Sequence, residues 1–176
     1  MGIEDYEEIF AESSDRLEIY GTIIDVGKES LKQFEPQVRA HLESDDEELV
    51  QQAILTLGMH WGLPDFKDEA EDMWRSLDNG IVRDAWFSSW VSYYTGFGDL
   101  SAAGEVRRVL ADGQYSPRMR GTALGRLGRI FEFEQRISRK ALRAVSDANS
   151  SEEAEAAIPW DLVNEICEEF GIEVVG

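Results

Sequence analysis

The sequence predicts an all-α chain of about four helical hairpins followed by a C-terminal helix, in one domain over 1–176. Three observations carry this. The chain aligns with itself at an offset of 32 residues, and internal repetition marks stacked helical units. Each repeat opens on a helix-start signal. Each is followed by a second stretch with apolar residues three and four apart, the spacing of a helix buried on one side. Period-two alternation is not sustained anywhere.

The first helix of the first hairpin carries Leu17 and Gly21, an apolar residue followed four positions later by a small one. Leu49 and Ala53 repeat the pair, as do Ile81 and Ala85, and Met119 and Ala123 give a fourth copy after a longer spacer. Residues four apart share a helix face. The small residue is thus placed to let a neighbouring helix approach. Ser44 with Glu47 reads as a capping box, Asp78-Asn79-Gly80 as a turn, and Ser116-Pro117 as a cap with proline at the first helical position. The second helices follow in order: Val38 and Leu42 after Pro36, then Phe66, Ala70, Met73, Trp74 and Leu77 after Pro64. The third carries Ala102, Val106, Val109 and Leu110, and the fourth, placed over Glu134 to Val145, carries Ile137, Ala141, Ala144 and Val145. A final helix runs from near Trp160 to Phe170 and stops at Gly171. The stretch from Ala85 to Tyr94 is apolar or small nearly all round, as in a helix covered on both sides, with Tyr94 and Phe97 placed to reach a surface.

The run from Leu77 to Ala85, an Asp turn followed by Val82-Arg83 and a small residue, resembles the HEAT repeat signature. Glu48 to Ala53 and Ser116 to Arg120 are weaker matches, and the likeness covers roughly residues 15 to 145. It departs at Gln51, where the family favours Arg, and in the spacing before the fourth copy. The resemblance implies a short right-handed α-solenoid whose second helices line a concave face. It implies a binding scaffold and no particular chemistry.

The 176 residues hold 36 acids against 17 bases, a net charge of −19, and a pI near 4.4. Such a field repels nucleic-acid phosphates and attracts basic proteins. Only 4 of the bases are Lys against 13 Arg, which fits a salt-adapted or a GC-rich source. The charge is uneven. Residues 1–78 carry 21 acids and 6 bases, residues 79–146 carry 6 acids and 11 bases, and residues 147–176 carry 9 acids and no base.

The acids Asp65, Asp68, Glu69 and Asp72 fall at helical spacing, with Glu71 and Arg75 beside them. They fit a solvated helix face or a surface for a basic partner; a metal cage would want ligands from several elements or a histidine. The candidate partner-binding set is Asp68, Glu71, Asp72, Arg75 and Tyr94. The bases Arg107, Arg108, Arg118, Arg120, Arg126 and Arg129 continue into Arg136, Arg139, Lys140 and Arg143, the last four on one exposed helix face. They read either as a phosphate-binding stripe or as partners for acids of neighbouring repeats and of the acidic tail. His41 and His60 share no paired spacing, and the lone Cys167 reads as a small core residue. No phosphate loop, Gly-x-Ser-x-Gly, His-Glu-x-x-His or Cys-x-x-Cys is present. No catalytic residue, metal or cofactor is assigned. The acidic opening lacks the basic start of a signal peptide, Tyr6 breaks a myristoylation pattern, and no apolar run reaches membrane-spanning length. The expected location is cytoplasmic.

These features point to a protein-binding module, an acidic inhibitor that neutralises a basic protein. Small acidic helical proteins of this kind resemble the immunity proteins of bacterial toxin systems, whose nuclease toxins carry basic clefts. Two other expectations stand beside it. One is an adaptor or scaffold whose acidity reflects a saline habitat. The other is a nucleic-acid binder resembling HEAT-type DNA glycosylases.

Overall fold

The computed structural model describes residues 2–78, 80–94, 102–130 and 136–172. Every regular element among them is helical. The chain gathers into two compact units, Met1–Tyr93 and Tyr94–Gly176.

The first unit holds α1 (Ile3–Glu12), α2 (Arg16–Lys28), α3 (Glu35–Ala40), α4 (Glu47–Leu55), α5 (Phe66–Ser76) and α6 (Ile81–Ser92). Helices α2 to α6 stand where the repeats place them; α1 was not foreseen. The cap of α4 sits two residues later than the sequence suggests. Asp46, not Ser44, accepts the Glu48 and Leu49 N–H groups at 2.9 and 3.3 Å, and Ser44 Oγ accepts the Asp46 N–H instead. The end of α4 widens into a π-helical turn, Thr56–His60, closed by Gly62 at φ +57°. There Thr56 Oγ donates to the Ile23 carbonyl at 3.2 Å and Trp61 Nε1 to that of Val26 at 3.3 Å, stitching the turn to α2. Gly58 meets α6 so closely that a Cβ would collide with the Ser89 hydroxyl and lie 2.7 Å from its Cβ.

Helix α6 packs against both α4 and α5, and its apolar residues from Ala85 to Val91 are buried, as the sequence predicts, while Ile81 and Val82 at its start are half-buried. Phe66 stacks on Trp86 with ring centres 5.0 Å apart, and Trp74 meets Phe87 and Trp90 at 5.3 Å each. Aromatic pairs of this geometry add about 1 kcal/mol each beyond burial. The first copy of the repeated pair behaves differently from the others. Ala53, Ala85 and Ala123 are buried, whereas Leu17 is 70% exposed and a Cβ on Gly21 would meet nothing within 4 Å.

The second unit holds α7 (Ala103–Ala111), α8 (Pro117–Ile130), α9 (Arg139–Ser146), α10 (Ser151–Ala157) and α11 (Trp160–Glu169). Helix α8 packs on α7 and α9, with Gly121 closely against Ser146. Ser116 Oγ accepts the Met119 N–H at 3.0 Å, as its position before Pro117 predicts. Helix α9 is shorter than expected. It starts at Arg139, capped by Ser138 through the Ala141 N–H at 3.1 Å, so Arg136 precedes the helix. Helix α10 was unforeseen; Ser150 caps it through the Glu153 N–H. Helix α11 runs as predicted and ends before Gly171 at φ +67°, with Cys167 buried inside it.

Candidate functional site

The acidic row of α5 divides into engaged and outward carboxylates. Asp65 and Glu69 bind Arg39 at 2.9 and 3.5 Å, and Arg39 also grips Glu35 at 2.8 Å. Glu71 binds Arg75 at 3.0 Å and accepts a hydrogen bond from Trp90 Nε1 at 3.1 Å. The Arg75 guanidinium lies 4.6 Å from the Trp74 ring centre. Glu71 and Arg75 thus fasten α5 over the aromatic core. Asp68 and Asp72 remain: both are exposed, one helical turn apart, and neither makes an ion pair among the described residues. Tyr94 is half-buried and is the first residue of the second unit. Phe97 lies outside the described residues. No group of three or more metal-ligand side chains converges among the described residues.

A second acidic surface lies between α1 and α2. A notch of about 480 Å³ is lined by Asp5, Glu8, Ile9, Glu12, Ser13 and Glu18. Asp5, Glu8 and Glu12 recur at helical spacing and share a face of α1, a pattern the opening acids carried without its being read. Glu18 accepts from Ser13 Oγ at 2.6 Å, and among the described residues no basic side chain lines the notch. Nearby, Arg16 of α2 bridges Asp46 and Glu48. Arg16, helped by the Leu49 and Glu48 N–H groups, holds the Asp46 carboxyl below the usual carboxylate range.

Three of the second unit's nine arginines, Arg107, Arg120 and Arg126, are buried, and the other six are exposed. Arg120 is fully buried: Nε donates to the Leu110 carbonyl at 2.9 Å, one Nη to the Ser151 carbonyl at 3.1 Å, and the other reaches Glu155. Arg107 is also buried, 4.5 Å from the Trp160 ring centre and 3.3 Å from Asn164 Oδ1. Its Nε and other Nη find no hydrogen-bond partner among the described residues. Burial pushes the Cys167 thiol up, with Arg107 pulling the other way. Arg136 pairs with Glu165 at 2.6 Å, and Arg126 is buried. Two acids of the tail, Glu155 and Glu165, take up two of the cations before it, as one of the two readings of that segment expects. What stays outward on α9 is Arg139, Lys140 and Arg143, the last two edging a shallow alanine-floored groove that also carries Asp147 and Glu153.

His41 lies half-buried beside Phe10, ring centres 6.2 Å apart, and burial lowers its pKa. Burial and Lys28 lower that of His60. No helix among the described residues is long and apolar enough to cross a membrane. Compared with protein-family models, curated proteins and solved structures, the chain matches none.

Proposed function

We propose that this protein is an interaction module, built on HEAT-like helical hairpins, whose acidic first unit binds and neutralises a basic protein such as a nuclease toxin. One observation carries the proposal: the two halves of the chain spend their charge differently. In the second unit, cations and acids are matched internally through Arg120–Glu155 and Arg136–Glu165. In the first unit, carboxylates are left facing outward, on the α1–α2 notch and at Asp68 and Asp72. A surface of uncompensated carboxylates steers a basic partner to itself and excludes acidic ones. Arg107, Arg120 and Arg126 are buried and so are withdrawn from any phosphate-binding stripe, which needs its cations at the surface; the exposed bases of the second unit are what the nucleic-acid alternative would have to use.

The test is affinity capture from the native source with elution along a salt gradient. A stoichiometric basic protein released at moderate salt is the expected result, and its activity should fall when this protein is added. Charge reversal at Asp68→Lys and Asp72→Lys should slow association by roughly tenfold at low salt and leave stability within about 0.5 kcal/mol. Recovery of nucleic acid, or of nothing at any salt, defeats the proposal.

A further inference from the structure

Helix α2 carries apolar or small residues on two sides, yet only one of those sides is covered. Of its 13 residues four are buried, against seven of 12 in α6. The covered side holds Thr22, Ile23, Val26 and Gly27. The other side presents Leu17, Gly21 and Ile24, spaced four and three apart and so aligned as one stripe. Leu17 is 70% exposed, Gly21 and Ile24 are partly exposed, and the space above Gly21 is open. The equivalent small residues of the later copies, Ala53, Ala85 and Ala123, are each buried. In those copies the apolar-and-small pair receives a packed neighbour. In the first copy it faces solvent.

An uncovered helix stripe of this kind wants another helix, because a small residue between two apolar ones forms a hole for an incoming side chain. Charge says which kind of helix. The stripe is bordered by Glu18 and Asp25 of the same helix, and Glu18 also lines the notch with Asp5, Glu8 and Glu12 of α1. Arg16, the cation at the start of α2, is already taken by Asp46 and Glu48. Lys28, four residues beyond Ile24, closes the same stripe with a base at the end away from the notch. A second copy of this chain, at net −19, would bring more negative charge to an acidic border.

We infer that the outer stripe of α2, together with the α1–α2 notch, is a docking groove for an amphipathic helix of a partner protein whose apolar face is edged by Lys or Arg. Leucines of the incoming helix fill the hole at Gly21 between Leu17 and Ile24. A flanking Lys or Arg enters the notch, where Glu8, Glu12 and Glu18 accept its N–H groups. This rests on the basic-partner proposal above and names where that partner docks.

The probe is a designed peptide of about twenty residues, long enough to hold a helix, with a leucine and alanine stripe edged by lysine. The control is the same composition scrambled so that no stripe remains. Titration calorimetry with the full chain should show the striped peptide binding at least about tenfold more tightly than the scrambled one. Leu17→Gln with Ile24→Gln should remove that tenfold preference, and Glu12→Gln with Glu18→Gln should weaken binding and flatten its salt dependence. Leu17 is solvent-exposed, so an unchanged circular dichroism spectrum confirms that these variants fold; Leu17→Gln alone serves if the double variant does not. Asp68→Lys with Asp72→Lys lowers the acidic field as a whole and should weaken both peptides alike, leaving the ratio of their affinities within about twofold of the original. Equal binding of both peptides, binding indifferent to Leu17→Gln, or no binding at all overturns the groove. If the α5 reversal, and not the groove variants, removes the preference for the striped peptide, the groove is wrong and the basic-partner proposal stands. Concentration-dependent dimers lost in Leu17→Gln would show that a second copy is the occupant and also overturn the assignment.

Discussion

Met1–Tyr93 and Tyr94–Gly176 are both helical and both acidic at one end, but they handle charge in opposite ways. The first unit fills its interior with tryptophan and phenylalanine, buries the single carboxylate Asp84 among the described residues, and leaves the others at least partly outside. The second admits Arg107, Arg120 and Arg126 to its interior and brings Glu155 of the acidic tail to Arg120. The difference teaches that the net charge of a segment does not give the charge of its surface. Residues 79–146 are the basic part of the chain, yet their most strongly held cations face protein.

The sharpest way to break this contrast is to cut each interior where it is most committed. Trp74→Ala removes a fully buried ring that touches Phe87 and Trp90, and should cost the first unit about 4 kcal/mol. Regional hydrogen exchange should show lost protection in α4 to α6 and unchanged protection in α8 to α10. Equal loss in both would mean the two units unfold as one. Arg120→Met should cost the second unit about 3 kcal/mol, because it strands two carbonyls and Glu155; Glu155 is half-exposed, which keeps the cost at the low end for a broken buried pair. Arg107→Met should cost less, about 1 kcal/mol, since it gives up one hydrogen bond, to Asn164, and the Trp160 contact, and removes two buried N–H groups that find no partner among the described residues. Urea unfolding of the two variants side by side decides this, and equal losses would show that Arg107 is as well satisfied as Arg120.

Two glycines test the difference between covered and open helix faces. Gly58→Ala drives a methyl into Ser89 and should destabilise by about 2 kcal/mol. Gly21→Ala meets open space within a helix and should stabilise by up to about 1 kcal/mol. Thermal melts of the two variants give the answer. A destabilising Gly21→Ala would mean that α2 is covered after all.

Much of this arrangement was legible in the sequence because it depends on local pattern. The repeat placed α2, α4, α6 and α8 through one apolar and one small residue each, and Ala85 to Tyr93 announced its burial by having almost no polar side. What stayed hidden depends on neighbours distant in the chain. Nothing near Arg120 shows that Glu155, 35 positions away, will receive it. Nothing near Leu17 shows that its copy of the repeated pair, alone among the four, has no helix laid over it. Helix α1 was within reach, since Tyr6 and Phe10 are four apart, but the run of acids around them obscured the apolar pair. The cap of α4 was misplaced because Ser44, Asp45 and Asp46 are all capping residues, and only the backbone decides among them.

The smallest expected effect separates the units by pH. Both histidines, His41 and His60, belong to the first unit, and the second contains none. Each has its pKa lowered below the ordinary 6.5 by burial, with Lys28 adding to the effect at His60. The unfolded chain therefore takes up protons first. The stability from keeping these rings neutral is whole above the unfolded pKa and is lost as pH falls from there through the folded value. Asp46 works in a lower window. Its depressed pKa contributes above the ordinary carboxylate value of 3.8 and is lost only as pH falls below that, so it is silent near neutrality. Between about pH 7.5 and 5.5 the first unit should lose a little protection, after correction for intrinsic exchange, while the second stays level. His41→Gln with His60→Gln should flatten the first unit's response. A matching decline in the second unit would put the cause in the carboxylates that both units share.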